Sequence, residues 1–261
     1  MTVDGLPLLT AGLLALAALV AGWVDAMVGG GGLVQLPALL LGLPAAPPAQ
    51  LLATNKLASV CGTATSAVAY QRRVRPDLRT ALPMAGLALG GAAAGAACAS
   101  LLPTRVFRPL VLVMLVLVAV YVARRPELGR ITDLRFSGRR HHLTAGVVGA
   151  GIGFYDGIFG PGTGSFLVVA LVGLLGYAFL QASAKAKIVN LATNLGALLV
   201  FVPQGAPLWR LGLLMGAANL GGGYLGARTA VAAGNRFIRV ALLVVVGVLV
   251  VRVGWDVAHG R

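Results

Sequence analysis

Residues 154–166 read FYDGIFGPGTGSF, and residues 23–35 read WVDAMVGGGGLVQ. Each stretch sets one aspartate a few positions ahead of clustered glycines, inside sequence that is otherwise strongly apolar. Glycine and proline at that density end a helix, since glycine loses the most backbone freedom on ordering and proline has no amide donor. In an apolar solvent the freed N–H and C=O groups find no water. Such a break persists only where protein covers it or a cavity lies beside it. How these two breaks are accommodated decides the fold.

The solvent follows from composition. The chain has 261 residues, of which 58% are hydrophobic and 11% charged, and it carries several apolar runs near the roughly 20 residues a bilayer-spanning helix needs. Leu110–Ala123 and Phe237–Val251 are apolar almost all round, apart from Arg239, which excludes the amphipathic helices of a soluble protein. A barrel would need alternating polarity in segments of about ten residues. The expected fold is an all-α polytopic membrane protein. Leu6–Val24 lacks the basic leader and small-residue cleavage site of a signal peptide and is read as mature membrane structure. Cys61 and Cys98 both lie in apolar segments, so neither a disulfide framework nor a cysteine metal site is implied. The net charge of +14 comes mainly from arginines in short loops. That pattern marks the cytoplasmic side of a membrane, and the absence of a basic stripe interleaved with aromatics speaks against nucleic acid as a partner.

The two opening stretches belong to a longer correspondence. Shifting the chain by 131 positions matches about two dozen residues over some hundred positions without a gap. Scarce residues carry the weight: Asp25 falls on Asp156, Gln50 on Gln181, Lys56 on Lys187, Pro76 on Pro207, Arg79 on Arg210, Arg105 on Arg236 and Arg108 on Arg239. The chain therefore reads as a first membrane repeat over 1–123, a polar cytoplasmic linker over 124–142 and a second membrane repeat over 143–261. The first repeat divides into Leu6–Val28, the Gly29–Gly32 break, Leu33–Leu43, Gln50–Tyr70, Thr80–Leu101 and Val106–Ala123. The second divides into Leu143–Phe159, the GPGTG break, Ser165–Leu180, Gln181–Phe201, Leu208–Ala232 and Phe237–Val257. Each repeat is thus a glycine-broken hairpin followed by about three spanning helices.

Loop charges predict how the repeats are oriented. Arg72, Arg73, Arg75 and Arg79 follow the Gln50–Tyr70 segment, against Arg105 and Arg108 one span later; in the second repeat Arg210 stands alone, whereas Arg228, Arg236 and Arg239 flank the next turn. By the positive-inside rule this reversal predicts inverted repeats, with the linker cytoplasmic and Arg261 on the opposite side.

Lysine is reserved for one place. The chain has three, Lys56, Lys185 and Lys187, all in the matched segments. Lys56, Ser59 and Thr63 correspond to Lys187, Asn190 and Asn194, spaced so that each set lines one helix face, with Asn55 beside Lys56. Lys185 corresponds to the uncharged Thr54 and points away from Lys187, so it is read as snorkelling to the headgroups.

The breaks supply the rest of a site. A half-helix start directs unsatisfied N–H groups and a positive dipole end at an anion. Gly30, Gly31 and Gly32 form one such start, and Gly162, Thr163, Gly164 and Ser165 form the other, with two hydroxyl donors added. Interrupted segments at matched places in two halves point to a transporter's binding site. Asp25 and Asp156 are the acids well inside apolar segments; proton coupling, pairing with lysine in the empty state and capping of the break are the roles open to them. No enzyme is expected, because His141, His142 and His259 are read in polar loops or the tail and no nucleophile–base pair is apparent. No cofactor or metal is implied.

AGWVDAMVGGGGLVQLPALL at 21–40, ATNKLA at 53–58, FYDGIFGPGTGSF and KIVNLATNLGAL at 187–198 closely resemble the TauE/SafE family of sulfite and organosulfonate exporters, in particular its YfcA-like branch. The resemblance covers nearly the whole chain. It implies a bacterial inner-membrane permease for sulfite, an organosulfonate or a related small anion. The expected function is secondary transport of such an anion by alternating access around a midplane site, with the lipid bilayer and the anion as partners. An anion channel of the same architecture is the alternative, and a membrane-embedded enzyme a more distant one.

Overall fold

The computed structural model describes residues 2–99, 129 and 131–258; the expected Val106–Ala123 span, His259 and Arg261 lie outside them. Among the described residues the chain is helical, with a short N-terminal hairpin of β1 (Thr2–Val3) and β2 (Leu6–Pro7). Eight helices follow: α1 (Leu8–Val28), α2 (Gly32–Gly42), α3 (Pro48–Arg73), α4 (Leu78–Cys98), α5 (Gly138–Ile158), α6 (Thr163–Gly173), α7 (Phe179–Phe201) and α8 (Trp209–Ala258). Non-helical Gly234 divides α8 into two segments. The chain is an all-α membrane protein. Among the described residues, α1, α4 and α7 are each long and apolar enough to cross a bilayer.

Some boundaries differ from the sequence reading for local reasons. α3 starts at Pro48, which occupies a first-turn position where no amide donor is needed. α6 stops at Gly173 rather than reaching Leu180, because 174–178 turn to receive the linker: Asp133 N donates to Gly176 O and Arg135 N to Leu175 O. The end of the linker is itself ordered as the first turn of α5. His141 and His142 are therefore helical, and His141 is buried, which corrects their placement in a polar loop.

α2 and α6 have 11 residues each, about 16 Å at 1.5 Å per residue and too short for a hydrocarbon core of about 30 Å. Each turns back from the preceding long helix at a glycine break. At the first, Gly29 takes the left-handed conformation and its N–H caps Asp25 O at 2.8 Å.

Close helix pairs frame these hairpins. α1 packs on the first part of α8, where a Cβ at Gly222 or Gly226 would strike the carbonyls of Leu19 and Trp23. α4 packs on α5, where Gly91 and Gly95 meet the carbonyls of Ala150 and Phe154 in the same way. Without water to drive association, small residues that let backbones approach are what hold membrane helices together. α3 and α7 pack against each other, and each also packs on one outer pair, α3 on α8 and α7 on α4. Leu9, Leu13 and Leu16 of α1 and Leu82 and Leu87 of α4 remain exposed, as lipid-facing positions do.

Candidate anion site

The two breaks meet. Gly29 and Gly164 stand backbone to backbone, so a side chain on either would overlap the other, and Ser165 N donates to Gly29 O at 3.3 Å. Ser165 Oγ turns to Val28 O at 2.7 Å, satisfying an orphan carbonyl at the end of α1. The starts of α2 and α6 are thereby brought together. Neither position tolerates a Cβ, which is the physical reason glycine stands at both.

The lysines then cross between the halves. Lys56 Nζ of α3 lies 2.6 Å from Asp156 Oδ2 of α5, both side chains 2% exposed. Lys187 Nζ of α7 lies 2.8 Å from Asp25 Oδ2 of α1 and also donates to the Asp25 backbone carbonyl. Each ammonium is thus matched to the carboxylate of the other half. Secondary partners hold the carboxylates: Thr163 Oγ1 donates to Asp156 Oδ1 at 2.6 Å, and Gly31 N lies 3.4 Å from Asp25 Oδ1. The two pairs are not equivalent, since Asp25 keeps 15% of its side chain exposed. Dehydrating four charges is costly, and removing one member of a buried pair costs about 3–5 kcal/mol because its partner is left uncompensated.

Between the pairs lies a small polar cavity. Asp25, Gly29 and Gly32 line it from the first break, Asp156, Gly160, Thr163 and Gly164 from the second, and Asn55, Lys56, Ser59, Asn190 and Asn194 from α3 and α7. No apolar side chain is among these residues. Its free space of about 20 Å³ holds about one water molecule. Asn55 Oδ1 and Asn194 Nδ2 are buried with no partner among the described residues. Such groups call for water or ligand, because an unmet buried polar atom is costly.

Of the residues singled out from sequence, Gly30, Gly31, Gly162, Ser165 and Lys187 are not in this lining: Ser165 serves the α1 terminus and Lys187 grips Asp25. Lys185 does not snorkel. It is fully buried and donates to Asp77 O at 2.9 Å, on the opposite side of α7 from Lys187. Sequence reasoning also missed Gln35 and Asn219. Asn219 Nδ2 bonds Gln35 Oε1 at 2.8 Å and Ala18 O at 3.0 Å, while Gln35 Nε2 reaches Asn55 O at 3.3 Å. Their matched positions are Phe166 and Ala88, so comparison of the halves hides them; a lone amide in α2 and another in the part of α8 before Gly234 were the available signal. Among the described residues no group of three or more potential metal-ligating side chains comes together.

Comparison with known proteins places this architecture. A "Probable membrane transporter protein ORF9" of Sinorhizobium is 38% identical over 249 residues, covering 93% of this chain and 92% of that protein. "Probable membrane transporter protein YfcA" of Escherichia coli K12 is 32% identical over 251 residues, covering 96% of this chain and 91% of that protein. A "Probable membrane transporter protein" of Haemophilus influenzae is 32% identical over 238 residues, covering 91% of each. No solved structure gives a significant match. The family model for the sulfite exporter TauE/SafE matches residues 14–253, and with relatives aligned over almost their full length, the chain belongs to the TauE/SafE sulfite exporter family.

Proposed function

We propose that the chain is a multi-pass secondary transporter of the bacterial inner membrane that moves a small oxyanion, sulfite or a related sulfur-containing anion, by alternating access around the cavity between the breaks. The observation that carries this reading is the reciprocal pairing of Lys56 with Asp156 and Lys187 with Asp25 at the meeting point of two half-helix starts. Two ammonium groups and two positive helix ends converge there, and the protein's own carboxylates stand where an anion would. An anion enters by displacing them. The released carboxylates would otherwise add two negative charges beside the bound anion, and this reading takes Asp25 and Asp156 as the coupling groups. The wholly polar and glycine lining favours a compact oxyanion over a sulfonate with a carbon chain. A channel fits less well, because both ion pairs would have to open for each passage.

The matched contacts of α1 with α8 and α4 with α5 support two repeats of one unit, and the crossed pairs are those that two such units would form with their matched helices facing. With the arginine reversal, this supports the inverted arrangement. The functional test is flux in proteoliposomes with sulfite, thiosulfate, a short alkylsulfonate and a carboxylate. Sulfite flux that carries protons and is lost in Lys56→Ala meets the expectation. Flux of the alkylsulfonate alone, or proton-independent sulfite flux, contradicts it.

A further inference from the structure

Away from the cavity, a second polar cluster joins the start of α4 to the starts of α5 and α7. Lys185 Nζ donates to the Asp77 carbonyl, lies 3.9 Å from Asp77 Oδ2 and sits 4.6 Å above the Tyr177 ring. Thr80 Oγ1 donates to Asp77 Oδ2 at 2.7 Å, and His141 Nε2 lies 2.9 Å from Tyr177 Oη and 3.3 Å from Thr80 Oγ1. Lys185 and His141 are buried, while Asp77 keeps 48% of its side chain exposed, so the chain of hydrogen bonds runs from the surface to the imidazole. The matched place in the other half is built differently: Leu208 N, at the position equivalent to Asp77, donates to Oγ1 of Thr54, at the position equivalent to Lys185, and Leu211 N donates to Asp4 Oδ2 at 2.9 Å.

We propose that Asp77, Thr80, His141, Tyr177 and Lys185 form a proton-operated latch that holds α7 against the start of α4 on one face of the membrane and releases it when His141 takes up a proton. The charged and titratable groups around the ring are Asp77 from the start of α4, Tyr177 from the α6–α7 connection, Lys185 from α7 and His142 from α5 itself. Burial first, then the charges of His142 and Lys185, hold His141 below the usual imidazole range, with Asp77 opposing them. Burial works to raise the Asp77 carboxyl, but the Thr80 hydroxyl, the Arg79 amide and Lys185 together hold it below its ordinary value. Asp77 therefore stays ionised across the neutral range, and the response belongs to the imidazole.

The sign follows by linkage. Protonation is disfavoured in the latched arrangement and ordinary once the ring is released, so falling pH drives release. Because α7 carries Lys187 two positions from Lys185, it is anchored to α4 on one side and to Asp25 of α1 on the other. Releasing the latch frees the start of the helix that grips the anion site. The face concerned is the one carrying Arg72–Arg79, which the loop charges assign to the cytoplasm.

The test is independent of the transported anion. In protein with Cys61→Ala and Cys98→Ala, spin labels at Arg79→Cys and Leu174→Cys report the separation of the two sides of the latch by pulsed electron resonance. Between pH 8 and pH 5.5 the distances should shift to longer values with a midpoint below about 6.5, the ordinary imidazole value. His141→Gln should abolish the shift and keep the short distance. Lys185→Met, which keeps the length of the side chain and removes its ammonium, should give the longer distance at both pH values. A distance distribution that does not change with pH in the otherwise native protein, or the same pH shift in His141→Gln, overturns the latch. Either result leaves the anion-site reading intact.

Discussion

Lys56 and Lys187 lose their hydration on folding and regain stabilisation from a carboxylate on the other half of the chain. What distinguishes lysine at these positions from the arginines of the loops is its compact point charge, since a planar guanidinium would fill the space differently. If the carboxylate holds the anion's place, removing it acts in two directions. Asp156→Asn should melt at lower temperature without ligand, by the equivalent of about 3 kcal/mol or more. It should also bind sulfite more tightly than the wild type, since a competitor for Lys56 is gone. Melting curves in detergent with and without sulfite check both. Equal stabilisation of the two proteins by sulfite would favour a purely structural role for Asp156.

At the scale of elements, the breaks can meet only because two glycines touch. Gly164→Ala should prevent that approach and lower both stability and sulfite affinity. Gly151→Ala, on α5 where no described atom lies within 4 Å of the added methyl, should be neutral or raise stability by up to about 1 kcal/mol through helix propensity. Melting temperatures of the two variants separate these outcomes, and an equal gain in both would mean that Gly164 acts only through helix propensity and not through the contact with Gly29. The helices and breaks were legible because glycine clusters in apolar sequence have few physical outcomes, and the stripe of Lys56 with Ser59 was legible from helical spacing. What could not be read was which carboxylate each lysine would meet. Asp25 precedes Lys56 by 31 positions, and Asp156 precedes Lys187 by the same interval, yet the pairs form across the halves. His141 was hidden for a related reason: flanking arginines give its segment the look of a loop, and only the packing of α4, α5 and α7 buries it.

For the whole molecule, alternating access requires two faces that open in turn, and the proposed inverted arrangement would supply them from one kind of unit. It predicts that the turns after α3 and after α7 lie on opposite sides of the membrane. Single cysteines at Arg79 and Arg210, in protein lacking Cys61 and Cys98, should react with an impermeant thiol reagent from opposite sides; reaction from the same side would remove the inversion. The central claim, that two lysines and two glycine breaks make one anion site, is tested most directly by calorimetric titration of sulfite into purified wild type, Lys56→Ala, Lys187→Ala and Lys185→Ala, each checked for folding. At least about tenfold weaker binding, or 1.4 kcal/mol, is expected in the first two variants, with a much smaller change in the third. Near-equal affinities across all four proteins would contradict it.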